Sequence, residues 1–289
     1  MCQRASASST LGYMASERID YVSRPFEGLT GEADLIAMRE VVPAATATAA
    51  TTKEHGGHDV IVTTLLPNIR TAWRRPDGGI VIALQTTYHS GDASRDIAQA
   101  LELAMAAEPG TEIPGIDISL PGRRLQDLLD PAIPLEVTVQ TSFDFWKELD
   151  PDNEEKEWLE TIERASEAIN PTAAVPELSG AYWTLLNKRP FLRWSLGIEE
   201  EKLLDALARL HARRESAVIP EARYAGAFRA LGLVIPVWEL PDGTEADEIS
   251  EPGAEFLARL KEALADTSEL GVLDRRARAG LVARSVTLR

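Results

Sequence analysis

The sequence predicts an α+β protein, with antiparallel or mixed sheets and helices packed on one face. Three observations predict it. Stretches with apolar residues three and four apart alternate with short stretches of β-branched or strictly alternating residues. The chain has 289 residues, 44% of them apolar and 26% charged, enough to bury a large core. The order helix, strand hairpin, helix, hairpin then occurs twice, which allows an internal duplication of an α-β-β-α-β-β unit. Residues 1–20 read as a disordered Ser-rich tail, 21–150 as a first α+β half and 151–289 as a second.

A turn-rich run, Arg24-Pro-Phe-Glu-Gly-Leu-Thr-Gly-Glu32, leads into a helix over 32–42. Leu35, Met38 and Val42 share a face of that helix, and Pro43 ends it. Ala/Thr-rich residues 45–52 give a weak strand, 53–58 a turn and 60–66 a stronger strand. The turn from Trp73 to Gly79 feeds 80–86, which is apolar on both faces and so belongs centrally in a sheet. Asp92 or Ser94 caps the next helix, which buries Ile97, Leu101, Ala104 and Met105 and stops at Pro109-Gly110. Residues 110–122 read as a loop and 125–129 as a short helix. In 135–140, Leu135, Val137 and Val139 point one way and Glu136, Thr138 and Gln140 the other, a half-buried strand that Phe143, Phe145 and Trp146 extend.

Residues 148–157 hold six acids and a proline, and mark an exposed boundary. Beyond it, Trp158, Ile162, Ala165 and Ile169 define a helix over 154–169. Strands over 181–186 and 191–196 flank the turn Asn187-Lys188-Arg189-Pro190. Leu203, Leu207 and Leu210 define a helix over 198–214. Strands over 223–230 and 233–240 surround Leu231-Gly232; Pro236 lacks an N–H, which requires an edge strand or a bulge. A helix over 252–265 and an Arg-rich C-terminal helix over 272–286 complete the plan.

The formal net charge of −16 repels phosphate backbones and anionic membrane faces. One cysteine, Cys2, excludes an internal disulfide and a multi-thiolate zinc site within the chain. No stretch reaches the ~20 continuous apolar residues of a membrane helix. The expectation is a cytoplasmic protein without membrane association and without a cofactor.

Few residues carry chemistry. His55 and His58 supply two metal ligands where zinc takes three or four, so no metal site is predicted. The richest polar cluster is His89-Ser-Gly-Asp92-Ala-Ser-Arg95-Asp96, where a central strand hands over to a helix. Such a junction exposes free N–H groups, and His89 could act as a base oriented by Asp92, with Arg95 and Asp96 alongside. The same residues also make an ordinary helix start, Asp92 or Ser94 capping and Asp96 complementing the dipole. Arg275, Arg276, Arg278, Arg284 and Arg289 stand against one acid near the C-terminus. They suit either nucleic acid or docking on the chain's own acidic body. Five of the six tryptophans, from Trp146 to Trp238, fall on predicted strands or helices, where core packing is the default.

Several stretches are distinctive as wording: Arg24 to Glu32, Met38-Arg-Glu-Val-Val-Pro-Ala-Ala45, Ser90-Gly-Asp-Ala-Ser-Arg-Asp96, Arg124-Leu-Gln-Asp-Leu-Leu-Asp130, Leu203 to His211 and Leu233-Val-Ile-Pro-Val-Trp238. On these the chain, from Tyr21 onward, resembles an uncharacterised bacterial family of unknown function found largely in high-GC Gram-positive lineages. Members of that family often carry an N-terminal SEC-C zinc motif, Cys-Pro-Cys-Gly-Ser-Gly followed by Cys-His or Cys-Cys. Here only Cys2 stands in that region, so the motif is absent or cut off by a late start. Some members bear the label topoisomerase II or preprotein translocase subunit. Nothing in this sequence resembles the ATP-binding fold or DNA-cleavage core of a topoisomerase. The resemblance implies protein-handling company and no catalytic residue. Together these readings point to a non-enzymatic binding or adaptor protein with an unknown protein partner. The alternatives are a hydrolase-like enzyme centred on the 89–96 turn, and nucleic-acid binding through the terminal arginines.

Overall fold

A computed structural model describes residues 20–151 and 153–287. Residues 1–19 of the expected tail, with Cys2, and Arg289 lie outside the described residues. The first half runs α1 (Glu32–Glu40), β1 (Ala45–Ala50), β2 (Asp59–Thr63), β3 (Ala72–Arg74), β4 (Ile80–Ala83), α2 (Ala93–Ala106), β5 (Glu112–Ile113), α3 (Leu125–Leu128), β6 (Glu136–Val139) and α4 (Phe145–Leu149). The second runs α5 (Lys156–Glu167), β7 (Thr172–Ala174), β8 (Ala181–Leu186), β9 (Arg189–Trp194), α6 (Glu200–Ala212), β10 (Arg223–Ala230), β11 (Leu233–Glu239), α7 (Ser250–Ala265), α8 (Val272–Val282) and β12 (Ser285–Thr287).

Two six-stranded sheets form, in the orders β5-β3-β4-β2-β1-β6 and β12-β10-β11-β9-β8-β7. Each is mixed, because β2 pairs parallel with β4 and β10 parallel with β12. The α+β class is therefore what the periodicities indicate. The two sheets share an order of hairpins but do not confirm a duplication. The short connection from β2 leaves β3 antiparallel to it, whereas β9 returns through α6 to a parallel β10. Helix α2, matched to α6 by pattern, comes after both hairpins of its half, while α6 lies between them.

Helices cover both faces of the first sheet, which corrects the one-face expectation. All four residues of β4, Ile80-Val81-Ile82-Ala83, are buried. Ile80 and Ile82 join Val60, Val62, α1 and α2 on one side, and Val81 and Ala83 join Trp73, Phe145, Trp146 and Ile162 of α4 and α5 on the other. A strand with two buried faces draws helices to both, at roughly 1.5–3 kcal/mol per large apolar side chain.

Helix α1 is enclosed on every side. Four consecutive residues, Leu35, Ile36, Ala37 and Met38, are buried, which no one-sided helix permits. Its core also takes in Tyr182, Leu233 and Ile235 of the second sheet, so α1 is a wedge between the sheets. The Asp34 carboxylate fixes it there: Oδ1 accepts from Gly180 N and Tyr182 Oη, both at 2.9 Å, and Oδ2 from Ser179 Oγ at 2.7 Å. Gly180 has φ of +71°, and a Cβ there would stand 2.0 Å from the Ser195 carbonyl oxygen. Arg24 adds a fork to Glu32 (2.6 and 2.8 Å) and a bond to Gly197 O (3.1 Å).

Other differences from the pattern are local. Phe145 and Trp146 begin α4 instead of extending a strand, because three aromatic rings pack in a tilted cluster onto Leu66 and Trp73. The C-terminal helix stops at Val282, short of 286, because Ser285–Thr287 pair with β10. Residues 110–122 hold the two-residue strand β5. Pro236 sits on an internal strand, and the bulge lies opposite, on β10 between Tyr224 and Gly226. Helix α5, beyond the acidic stretch, packs against the first sheet.

Removing the Asp34 acceptor leaves the buried Gly180 N–H and Tyr182 hydroxyl unsatisfied at about 1–3 kcal/mol each, while the exposed Ser179 hydroxyl turns to water. Urea denaturation of Asp34→Ala is expected to show a loss of about 2–4 kcal/mol; an unchanged midpoint would mean the seam is held elsewhere. Burial pushes the Tyr224 phenol from 10.0 up to about 12, and burial with the Asp34 charge raises that of Tyr182 as well. Unfolded phenols ionise first, so this stability is complete below pH 10 and drains as pH climbs from 10 towards 12. Tyr224→Phe is expected to flatten that alkaline limb, measured as denaturation midpoints against pH.

Candidate functional site

The 89–96 turn lies at a cleft of about 300 Å³ between the halves. The chain at 21–25 forms one wall, Arg39 and Glu40 at the end of α1 another, and Ala230 and Leu231 of the β10–β11 turn the third. Gly232, at φ of +82°, permits this: a Cβ there would stand 2.6 Å from the Ser23 carbonyl oxygen. Val22 N donates to Gly91 O at 2.9 Å and ties the wall to the turn.

Asp92 is the N-cap of α2. Its Oδ1 accepts from Ser94 N (3.1 Å) and Arg95 N (3.4 Å), and Oδ2 stands 2.9 Å from Arg124 Nε as an ion pair. Ser94 lies inside the helix, where its hydroxyl donates to Gln126 Oε1 (2.6 Å) and accepts from Leu125 N (3.0 Å). Arg95 is buried and donates to the carbonyls of Leu120 (2.6 Å) and Ile118 (2.9 Å), holding the loop before α3. Asp96 accepts from Ser90 N (2.9 Å) and faces Arg95 at 3.3 Å. His89 is exposed on the rim. The turn thus brings Asp92, Arg95 and Asp96 together as structural partners. Asp92 spends both oxygens on the helix start and Arg124 and orients those groups, not His89.

Two lining residues carried no chemical reading in the sequence, Arg39 and Glu40. Both lie in the Met38-to-Ala45 stretch that marked the resemblance. The Arg39 side chain is 9% exposed; it donates to Leu84 O and sits 3.4 Å from Glu40. Burial lowers its guanidinium from the ordinary value, while Glu40 and Asp96 oppose that effect. The cleft therefore presents a buried cation between two carboxylates, with apolar walls from Val22, Pro25 and Leu231.

Elsewhere, Arg278 forks onto Asp205 (2.6 Å) and Glu201 (2.5 Å), Arg275 donates to Leu270 O, and Arg284 reaches Tyr224 O at 3.4 Å. Arg276 and Arg284 line a groove between α6 and α8 with His211. His55 and His58 sit around a 3-10 turn, and among the described residues no group of three or more His, Cys, Asp or Glu is placed to hold a metal. No described helix is long and apolar enough to cross a membrane.

Fold and cleft together define an α+β protein of two mixed sheets clasping a helix, with a half-open cleft at their seam. The chain belongs to the family of unknown function DUF5926, whose match covers residues 25–289. No curated protein and no solved structure matches it.

The contrast between cap and rim is measurable. Asp92→Ala is expected to lower stability by about 1–2 kcal/mol through the lost cap, with Arg124 left unpaired. His89→Ala is expected to stay within about 0.5 kcal/mol. Thermal melts followed by circular dichroism compare the two, and equal losses would contradict the division of roles.

Proposed function

We propose that the protein is a cytoplasmic, non-enzymatic binding or adaptor protein that holds a segment of a protein partner in the cleft between its halves. One observation carries this reading: the acids of the 89–96 turn are committed to a cap, a backbone N–H and two arginines, so the polar groups shape the cleft. Tyr21, 79% exposed on the lip, is the kind of aromatic anchor that dominates partner contacts. A cleft where two sheets meet is a common ligand position. Of the terminal arginines, Arg278 is neutralised by Asp205 and Glu201, which supports docking on the acidic body over nucleic-acid contact. A hydrolase-like reading keeps one observation in its favour, the exposed His89 on the rim of this cleft.

Affinity capture with the full chain tests the proposal. Wild type and the remote variant Val272→Glu are expected to recover the same partner reproducibly. Tyr21→Ala and Leu231→Glu are expected to recover at least about fivefold less, the effect of roughly 1 kcal/mol at an interface. The absence of a reproducible partner, or equal recovery by all four proteins, would remove the adaptor reading. Ester or amide turnover abolished by His89→Ala would replace it with the hydrolase.

A further inference from the structure

The groove between α6 and α8, of about 280 Å³, carries positive charge on an acidic chain. Arg276, Gly280 and Arg284 line it in a row, four residues apart, along α8 and just past its end. His211, in the last turn of α6, lines the same groove, and no carboxylate does among the described residues. Both arginines are exposed. Arg278 is spent on Asp205 and Glu201, whereas Arg276 has no ion pair among the described residues and Arg284 makes one long bond to Tyr224 O at 3.4 Å. The remaining wall is apolar, with Leu281 buried and Leu273 68% exposed. A Cβ on Gly280 would meet nothing within 4 Å, so the row has a gap at its middle, between the two cations.

Helix α5 carries the complementary row. Glu155, at its N-cap, Leu159 and Glu163 are also four residues apart, and all three are exposed, Leu159 at 41%. Neither glutamate has an ion pair among the described residues, while Lys156 is taken by Glu160 at 3.2 Å. Each row spans about 12 Å at 1.5 Å per residue. We propose that the groove receives the α5 face of a second copy of this chain, with Leu159 in the gap over Gly280 and a Glu–Arg contact on either side. An apolar side chain between charges, laid by one helix into a groove of opposite charge, is a recurring mode of recognition. Nucleic acid suits the groove less well: no aromatic ring lines it for base stacking, and Glu201 and Asp205 stand beside the arginine row. At about 0.15 M salt charges are screened beyond roughly 8 Å, so the general repulsion of two chains at −16 is damped while charges in contact still attract. Groove and α5 face are different surfaces, so the contact is head-to-tail and builds a ring or an open chain. The groove shares no residue with the 89–96 cleft, and the pairing does not depend on what that cleft holds.

Sedimentation equilibrium of the full chain at about 0.15 M salt tests the pairing. The average mass of the wild type is expected to rise between about 10 μM and 1 mM, as suits a small contact. Gly280→Leu fills the gap, and its melting temperature is expected to hold or rise, because leucine favours a helix over glycine. Glu155→Lys combined with Glu163→Lys turns attraction at the rim into repulsion. Each variant alone is expected to associate at least about tenfold more weakly. Mixed together they are expected to form a 1:1 heterodimer, because the first keeps a native α5 face and the second a native groove; loss of fold could not produce that rescue. A wild type that stays monomeric across the range, association unchanged in either variant, or a mixture that fails to pair would overturn the proposal. A labelled single-stranded oligonucleotide retained by a monomeric wild type and released by Gly280→Leu would give the groove to nucleic acid.

Discussion

Helix α1 and its Asp34 carboxylate hold the molecule together as one object. A carboxylate in the first turn of a helix already complements the helix dipole. Here it also accepts three hydrogen bonds from a single stretch of the second sheet, at Ser179, Gly180 and Tyr182. The four buried residues that follow it, Leu35 to Met38, have no solvent face to fall back on. Without the second sheet, α1 would leave large apolar side chains in water at about 25 cal/mol per Å². Hydrophobic area supplies the attraction, and Asp34 selects the one docking geometry in which its acceptor capacity is used.

The cleft at the 89–96 turn follows from the same docking. Its walls come from the segment before α1, the end of α1 and the β10–β11 turn, three pieces that meet only when the sheets clasp the helix. The polar residues there are held from behind. Gln126 Nε2 and Arg124 Nη2 both donate to Pro25 O at 2.8 Å, and Arg95 fixes the 118–120 carbonyls. Side chains so bonded cost little to order a second time when a ligand arrives, which is the advantage of preorganisation.

Much of the fold was legible in the sequence, for reasons visible at particular residues. The alternation in 135–140 reports a half-exposed strand, and β6 alternates exposed and half-buried as it should. The Asp92 cap is a local hydrogen bond, so the sequence shows it directly. The misreadings have a common cause in long-range contact. The three residues Leu35, Met38 and Val42 suggest a one-sided helix, because the second sheet that covers the remaining face lies about 150 residues away. Phe143 to Trp146 read as a strand because aromatic residues favour strands, and tertiary packing onto Trp73 overrode that preference. The candidate site was half legible. The 89–96 turn is local, but Arg39 and Glu40 come to it from another helix, and nothing in their spacing announces the meeting.

The separation between Asp34 and Tyr182 also has a consequence during synthesis. The two partners stand 148 residues apart, so at about 5–20 residues per second the ribosome needs roughly 7 to 30 seconds to deliver the second after the first. Throughout that interval the nascent chain carries a greasy helix without its lid. A chaperone that shields the emerging first half would be serving this delay, and slowed translation through the 40–180 region would lengthen the window in which newly made chains adhere to one another.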